Sequence, residues 1–241
     1  MESKYSAATQ LGSSNFTIEG WVYLLDYSSY NLLFSKGDNS NSSSVGSWAF
    51  GTVVTTGVLY LDIDGSTAFA GSTAVSLNTW HHIAVTRSSG TLRAFLDGVM
   101  VYSGSNSTNF VNSNTWYIFG NGYNPATYYM NGQLSNLRIV TGNAVYTANF
   151  TPPTSPLTAI TGTQLLTCQN STFIDNSTNA FTITNNGSVT SAVQYPFNVT
   201  VFNDQSPQGN NWTTSGISLT AGSTYDSMTD VPTLTSPTAA N

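Results

Sequence analysis

The sequence predicts an all-β protein built as a two-sheet sandwich or a barrel. Short runs of alternating apolar and polar residues recur along the chain, and Asp, Asn and Gly turn residues separate them. No stretch of about ten or more residues has a convincing helical period. A regular succession of short strands and turn signals is typical of both architectures, and periodicity alone does not choose between them.

The clearest of these signals is a β-meander over residues 80–102. Its first run alternates with the period of a strand and ends in a Ser-Ser-Gly turn. The Asp97-Gly98 pair then lies between apolar flanks, which predicts a two-residue hairpin because a type I′ turn needs positive φ at both central residues. Folding about this turn places Leu96 opposite Val99.

Four further strands are predicted before the meander. They cover residues 16–24, 31–35, 48–51 and 58–63. The first has apolar residues on both faces, which indicates that both faces are partly covered. Within it, Glu19 is expected to lie at a sheet surface or to pair with an arginine, and the alternative is that it lines a cleft beside Trp21. The loop over residues 36–47 is rich in Ser, Asn and Gly, and loops of about twelve residues are often functional.

Five more strands are predicted after the meander. They cover residues 116–120, 132–140, 164–168, 180–184 and 195–202. A tyrosine-rich loop over residues 121–129 follows the first of them. Pro152, Pro153 and Pro156 bound an extended segment, because proline cannot continue a helix or donate a hydrogen bond inside a sheet.

Composition excludes several classes of function. Charged residues make up only 7% of the 241 residues, and the formal net charge is -6. With five Lys and Arg residues, the chain lacks the clustered cations that nucleic-acid binding requires. No apolar run approaches the ~18 residues that span a bilayer, and residues 1–10 contain no apolar signal core. We therefore expect neither membrane insertion nor a signal peptide.

A single cysteine, Cys168, excludes an internal disulfide. It lies in a strand-like apolar run, and no histidine or basic residue is near it in sequence. We expect a buried small side chain rather than a reactive thiol.

Four segments carry a family resemblance, in the order FTIEGWVY, WHHIAVTR, GTLRAFLDGV and GQLSNLRIV. Together they resemble the laminin-G-like branch of the concanavalin A-like lectin and glucanase folds, over roughly residues 10–197. The resemblance implies a jelly-roll sandwich of two antiparallel sheets. It also implies that the strand beginning at Trp80 and the Asp97-Gly98 hairpin are recurring core features.

A longer stretch carries a more particular resemblance. Residues 137–184 are similar to laminin-G-like modules in large structural proteins of marine bacteriophages, especially those of cyanobacteria. Residues 210–233 resemble a segment that follows such modules in the same proteins. The resemblance implies a laminin-G-like sandwich over residues 1–197 and an extended C-terminal segment or docking arm over residues 198–241.

The residues give no sign of catalysis. Asp62 and Asp64 are the only close carboxylate pair, and Asp64 is better explained as a turn residue before Gly65, so Asp62 lacks the facing acid that glycosidases need. His81 and His82 point to opposite faces of a strand and cannot share one metal ion. No Ser-His-Asp order, phosphate loop or cysteine-based metal spacing appears. We therefore expect no enzymatic activity and no required cofactor.

Binding sites are expected in the loops at one rim of the sandwich. Many laminin-G-like domains hold one calcium ion there, and Asp38 and Asp62 are the weak calcium candidates. Carbohydrate binding would use exposed aromatic rings that stack on sugar faces. The carbohydrate-binding candidates are Trp48, Tyr123, Tyr128 and Tyr129. Packing of these rings onto the sheets or against another subunit is the open alternative.

Two functions follow from these expectations. The resemblance implies a virion structural protein, a fibre or decoration subunit on the particle exterior that assembles with other virion proteins. Such a subunit would form a homo-oligomer, and analogy with phage fibres suggests a trimer. The alternative is an adhesin that recognises a host-surface carbohydrate. A secreted bacterial lectin is a third interpretation, and it lacks the signal peptide that it would need.

Overall fold

The structure is a computed structural model. It describes residues 2–3, 10–37, 46–111, 115–120, 128–185, 189–191, 196–197, 201–202 and 212–213, with only the backbone for 2–3, 201–202 and 212–213. These ranges contain fifteen strands and no helix. The strands are β1 Glu2–Ser3, β2 Phe16–Leu24, β3 Asn31–Lys36, β4 Trp48–Thr52, β5 Val58–Ile63, β6 Ser66–Ala74, β7 Trp80–Ser88, β8 Thr91–Leu96, β9 Val99–Ser105, β10 Trp116–Ile118, β11 Gly132–Thr141, β12 Thr163–Thr167, β13 Ile183–Thr184, β14 Val201–Phe202 and β15 Trp212–Thr213.

Two antiparallel sheets pack as a jelly-roll-like sandwich, which confirms the predicted fold class. The seven-stranded sheet has the order β13-β1-β10-β3-β4-β5-β6, and the six-stranded sheet has the order β12-β11-β2-β7-β8-β9. Strands β14 and β15 pair with each other. The chain divides into two compact units, Met1–Pro196 and Phe197–Asn241. In the described part of the chain, no helix has the length and apolar character of a membrane span.

Local signals explain most of these elements. Strand β2 has the predicted bounds, and Leu96 pairs with Val99 across the turn at Asp97 and Gly98, where both φ values are positive as predicted. Strand β6 was not predicted, because its sequence STAFAGSTA has small and polar residues in place of an apolar alternation. Strand β13 is shorter than predicted, since only Ile183–Thr184 pairs with a neighbour.

The core lies between the two sheets. Alternation along β2 and β7 directs Phe16, Ile18, Ile83 and Val85 inward, where they are buried. The facing sheet contributes a large aromatic group to the same core: Phe34, Trp48, Phe50, Phe69 and Trp116. Cys168 lies at the edge of this core and is buried, as predicted.

The outer face of the six-stranded sheet is also covered. Residues 143–152, which we call the strap, lie across it after β11. The Tyr146 and Phe150 rings stack 3.6 Å apart and lie edge-on to His82 and Phe95 beneath them. The Phe150 amide donates to the Gly98 carbonyl at 3.0 Å, which ties the strap to the β8–β9 turn. Phe16–Gly20 of β2 and His82–Arg87 of β7 are therefore buried on both faces of the sheet.

Candidate functional site

The outer face of the seven-stranded sheet carries a group of tyrosines. Along β4 and β5, residues alternate between the core and this outer face, so Ala49, Tyr60 and Asp62 point away from the sandwich interior. Tyr30, which precedes β3, and Tyr128 pack against the same face. We call Tyr30, Tyr60, Tyr128 and Asp62 the tyrosine face.

The three rings form a continuous aromatic surface. Tyr30 lies between the other two, with ring centroids 5.5 Å from Tyr60 and 5.2 Å from Tyr128. Tyr60 is the most buried of the three rings, with only 2% of the residue exposed, whereas Tyr30 and Tyr128 are half-buried. Since two rings keep accessible surface above a buried one, the cluster offers a shallow aromatic platform.

A carboxylate borders this platform. Asp62 lies two residues after Tyr60 on β5, so it shares the outer face, and it is half-buried. Burial raises the pKa of the Tyr60 hydroxyl, and the nearby Asp62, Tyr30 and Tyr128 groups raise it further. The Tyr60 hydroxyl therefore stays protonated at neutral pH beside an acceptor carboxylate.

The four predicted sugar-binding residues lie in different environments. Trp48 is 0% exposed and points into the core against Phe34 and Phe110, so its prediction as an exposed stacking residue is wrong. Tyr128 belongs to the tyrosine face. Tyr129 is 38% exposed, and its backbone hydrogen-bonds with the Ser29 hydroxyl. Tyr123 lies outside the described residues.

Asp62 and Asp64, the close carboxylate pair in the sequence, have separate surroundings. Asp64 adopts a positive φ of 52° in its turn and accepts a hydrogen bond from the Ser47 amide at 3.0 Å, which leaves Asp62 as a single acid on its strand. The described ranges contain no cluster of three or more His, Cys, Asp or Glu side chains that would hold a metal ion. Asp38, the other calcium candidate, lies outside them.

Glu19 is the centre of a closed polar network under the strap. Its carboxylate accepts from Arg138 at 2.6 and 2.9 Å, from His82 at 3.2 Å and from the Tyr146 hydroxyl at 2.8 Å. Burial alone would raise the pKa of Glu19, but the His82 hydrogen bond and the Arg138 charge outweigh it and lower the pKa. The expected pairing of Glu19 with an arginine is confirmed, and the alternative of a cleft-lining carboxylate is wrong.

The neighbouring histidine takes part in a separate cluster at the surface. His81 and His82 point to opposite sides of β7, as predicted. His81 Nδ1 lies 2.6 Å from Asp97 Oδ2, and its Nε2 lies 2.6 Å from the Ser76 hydroxyl. The sequence did not reveal this juxtaposition, because it depends on the path of the chain after the unpredicted strand β6.

A family comparison identifies the domain. A laminin G model described as "Concanavalin A-like lectin/glucanases superfamily" matches residues 3–145, which is more than half of the chain. The chain belongs to this superfamily. The match agrees with the resemblance seen in the four sequence segments and with the two-sheet sandwich.

Solved members of the fold are distant from this chain. A candidate carbohydrate-binding protein from Bacteroides ovatus is 16% identical over 68% of this chain and 47% of its own, with a TM-score of 0.49. The carbohydrate-binding module of a Ruminococcus gnavus sialidase, bound to α2,3-sialyllactose, is 13% identical over 60% and 88%, with a TM-score of 0.46. Mouse laminin α1 domains LG4-5 are 14% identical over 61% and 43%, with a TM-score of 0.41.

At these sequence identities and TM-scores, the solved structures do not indicate a ligand or an activity for this chain. The chain matches less than half of the length of the Bacteroides ovatus protein. No match was found among curated proteins.

Proposed function

We propose that this domain is a carbohydrate-recognition module that binds a glycan on the tyrosine face. The observation that carries the proposal is the platform of Tyr30 and Tyr128 above the buried Tyr60, with the Asp62 carboxylate beside it. Aromatic rings stack on the apolar C–H face of a sugar, and a neighbouring carboxylate accepts from its hydroxyls. Membership in a lectin-containing superfamily supports the same function.

The platform favours recognition over cleavage of the glycan. Glycosidases need two carboxyl groups about 5 to 9.5 Å apart on either side of the scissile bond. Asp62 is the one acid of β5, and Glu19 is enclosed beneath the strap on the other sheet. We expect bound oligosaccharides to remain intact.

Substitution of one platform ring tests the proposal. The wild-type chain is screened on an array of cell-surface and algal polysaccharides, and the best ligand is titrated by calorimetry. Tyr128→Ala removes a half-buried ring and is expected to weaken binding about tenfold, or about 1.4 kcal/mol. Tyr23→Ala removes a half-buried tyrosine from the other sheet and serves as the matched control. Equal affinity of wild type and Tyr128→Ala would exclude the platform as the site.

We further propose that the domain belongs to a virion structural protein displayed on the particle exterior. The sequence resemblance of residues 137–184 and 210–233 to phage structural proteins supports this role. The edge strand β6 also favours assembly, because Ser66–Ala74 carries no charged residue or proline to block pairing with a second copy.

Assembly provides the test of this second role. The full chain is expected to sediment as a defined oligomer, and deletion of residues 198–241 is expected to yield monomers if the C-terminal segment is a docking arm. Retained oligomerisation after the deletion would count against the arm. Labelled antibody against the domain should decorate intact particles, and its failure to do so would reject exterior display.

A further inference from the structure

Ser76, His81 and Asp97 form a continuous hydrogen-bonded relay on the surface of the sandwich. The two linking distances are both 2.6 Å, from the Ser76 hydroxyl to His81 Nε2 and from His81 Nδ1 to Asp97 Oδ2. This connectivity joins a hydroxyl to an imidazole base and the base to an orienting carboxylate. It is the arrangement that activates serine nucleophiles in unrelated folds.

The roles within the relay are fixed by the carboxylate. Burial alone would raise the pKa of Asp97, but hydrogen bonds from His81 and from the His82 backbone amide outweigh it and lower the pKa. An ionised Asp97 is an acceptor only, so His81 Nδ1 must donate to it. In neutral His81 the other nitrogen, Nε2, is then the acceptor for the Ser76 hydroxyl proton.

The backbone around Ser76 is anchored while its side chain is exposed. The preceding Val75 is buried, and its amide donates to the Gly57 carbonyl at 2.9 Å. On the other side, the Asn78 amide donates to the Leu24 carbonyl at 2.8 Å. Ser76 is therefore held between two fixed points and faces solvent, which leaves its hydroxyl open to a small electrophile.

The orienting carboxylate is equally well held. Asp97 occupies the β8–β9 turn at a positive φ of 48°, and its Oδ1 accepts from the His82 amide at 2.9 Å. Its backbone amide in turn donates to the His82 carbonyl at 2.8 Å. The same turn that fixes the hairpin thus fixes the direction of the Asp97 side chain toward His81.

The geometry points to Ser76 as an acyl-accepting nucleophile toward esters of small carboxylic acids, with His81 as general base and Asp97 as its positioning residue. Ser76 Oγ attacks the ester carbonyl carbon and its proton passes to His81 Nε2. The carbon–oxygen bond to the leaving alcohol breaks, and the alcohol takes that proton. Water then hydrolyses the acyl-serine, releasing the carboxylic acid and restoring the hydroxyl. This activity is separate from glycan binding, and it would overturn the expectation that the chain is not an enzyme.

A fluorophosphonate probe tests the nucleophile directly on the full chain. Attack by Ser76 forms an oxygen–phosphorus bond and expels fluoride, and peptide mass spectrometry locates the adduct. We expect the folded wild type to be labelled at Ser76 at least about tenfold faster than at any other serine, and this preference to vanish in urea. Ser76→Ala should lose the adduct, while Ser72→Ala, at an exposed serine on β6, should keep it.

Two further readouts decide whether the relay is chemical or only structural. His81→Gln and Asp97→Asn should each slow the labelling of Ser76 by about tenfold or more. In Ser76→Ala, the rate of p-nitrophenyl acetate hydrolysis should fall together with the loss of the adduct. Absence of a Ser76 adduct in the folded wild type would overturn the proposal without reference to any variant. Labelling of a folded His81→Gln chain at the wild-type rate would also overturn it, and would leave the relay as a tie between the β6–β7 connection and the β8–β9 turn.

Discussion

At the residue scale, Glu19 shows how a buried charge is accommodated in a chain with few charges. Its two oxygens receive four hydrogen bonds from Arg138, His82 and Tyr146. Each donor comes from a different element, since Arg138 lies on β11, His82 on β7 and Tyr146 on the strap. The carboxylate therefore links three elements around β2, and its loss affects all of them.

Replacement of Glu19 by glutamine should be strongly destabilising. The change leaves the buried Arg138 cation without its counter-charge, which typically costs about 3–5 kcal/mol. Urea unfolding at pH 7 measures the difference, and a native far-ultraviolet spectrum controls for folding of the variant. A loss below about 1 kcal/mol would show that the ion pair is replaceable by neutral hydrogen bonds.

The same network predicts how stability depends on pH. The folded-state pKa of Glu19 is lower than the ordinary value of 4.5, so the unfolded chain binds more protons in acid. Its stabilisation is fully present above about pH 4.5 and is lost as the pH falls through the folded-state pKa. Asp97, whose pKa is also lowered, acts in the same direction. The free energy of unfolding should fall from pH 5 to pH 2 in wild type and fall less steeply in Glu19→Gln.

Trp48 provides a second residue-scale prediction. Because it is fully buried among Phe34, Phe110 and Trp116, Trp48→Ala should destabilise the fold by about 3–5 kcal/mol through cavity formation. Tyr129→Ala, at an exposed ring, should change stability by less than about 1 kcal/mol. Chemical denaturation of both variants measures the contrast, and similar losses would contradict the burial of Trp48.

At the element scale, the strap depends on close contact with the β8–β9 turn. Gly98 has φ +77°, and a Cβ added there would lie 1.9 Å from the Phe150 carbonyl oxygen. Gly142 has a similar φ of +78° with no atom within 4 Å of an added Cβ. The two glycines thus share a backbone conformation and differ in packing.

Alanine at each glycine should separate these effects. Both substitutions carry the cost of a left-handed backbone, about 1–2 kcal/mol. Gly98→Ala should cost about 1–3 kcal/mol more, because the strap must shift away from the turn. Hydrogen exchange at the Phe150 amide should accelerate in Gly98→Ala and stay near the wild-type rate in Gly142→Ala. Equal stability losses would show that the strap moves freely.

The elements also show where sequence patterns succeed and fail. Strand β2 and the Asp97-Gly98 hairpin follow from alternation and turn chemistry, which act over a few residues. Strand β6 is held by pairing with β5 and has no apolar stripe of its own. Trp48 was predicted as a sugar-stacking residue from its aromatic type, but the strand alternation of β4, with Trp48 and Phe50 on one face and Ala49 on the other, places it inside.

At the scale of the whole molecule, the candidate site was only partly predictable. Tyr128 and Asp62 were singled out from their residue types. They both lie near Tyr60 only because β10, β3, β4 and β5 are neighbours in one sheet. Tyr30 and Tyr60 were overlooked, since each resembles an ordinary strand residue in sequence. Such contacts depend on long-range register, which local periodicity does not determine.

Cys168 provides a readout of global unfolding. Burial raises the pKa of its thiol to about 12, so almost no thiolate is present at pH 8 in the folded state. Labelling by a disulfide reagent should be undetectable in native buffer over minutes and should follow the unfolding transition in urea. Rapid labelling without denaturant would indicate local opening near the end of β12.

The strap has a consequence for how the domain tolerates mutation. Because residues 143–152 cover the outer face of the six-stranded sheet, Phe16 to Gly20 of β2 are buried at every position, whereas β6 is largely exposed. A deep mutational scan should therefore show unbroken intolerance from Phe16 to Gly20 and broad permissiveness along β6. Sequence drift in this domain would then concentrate along β6, since β3 and β4 of the same sheet are buried at every position.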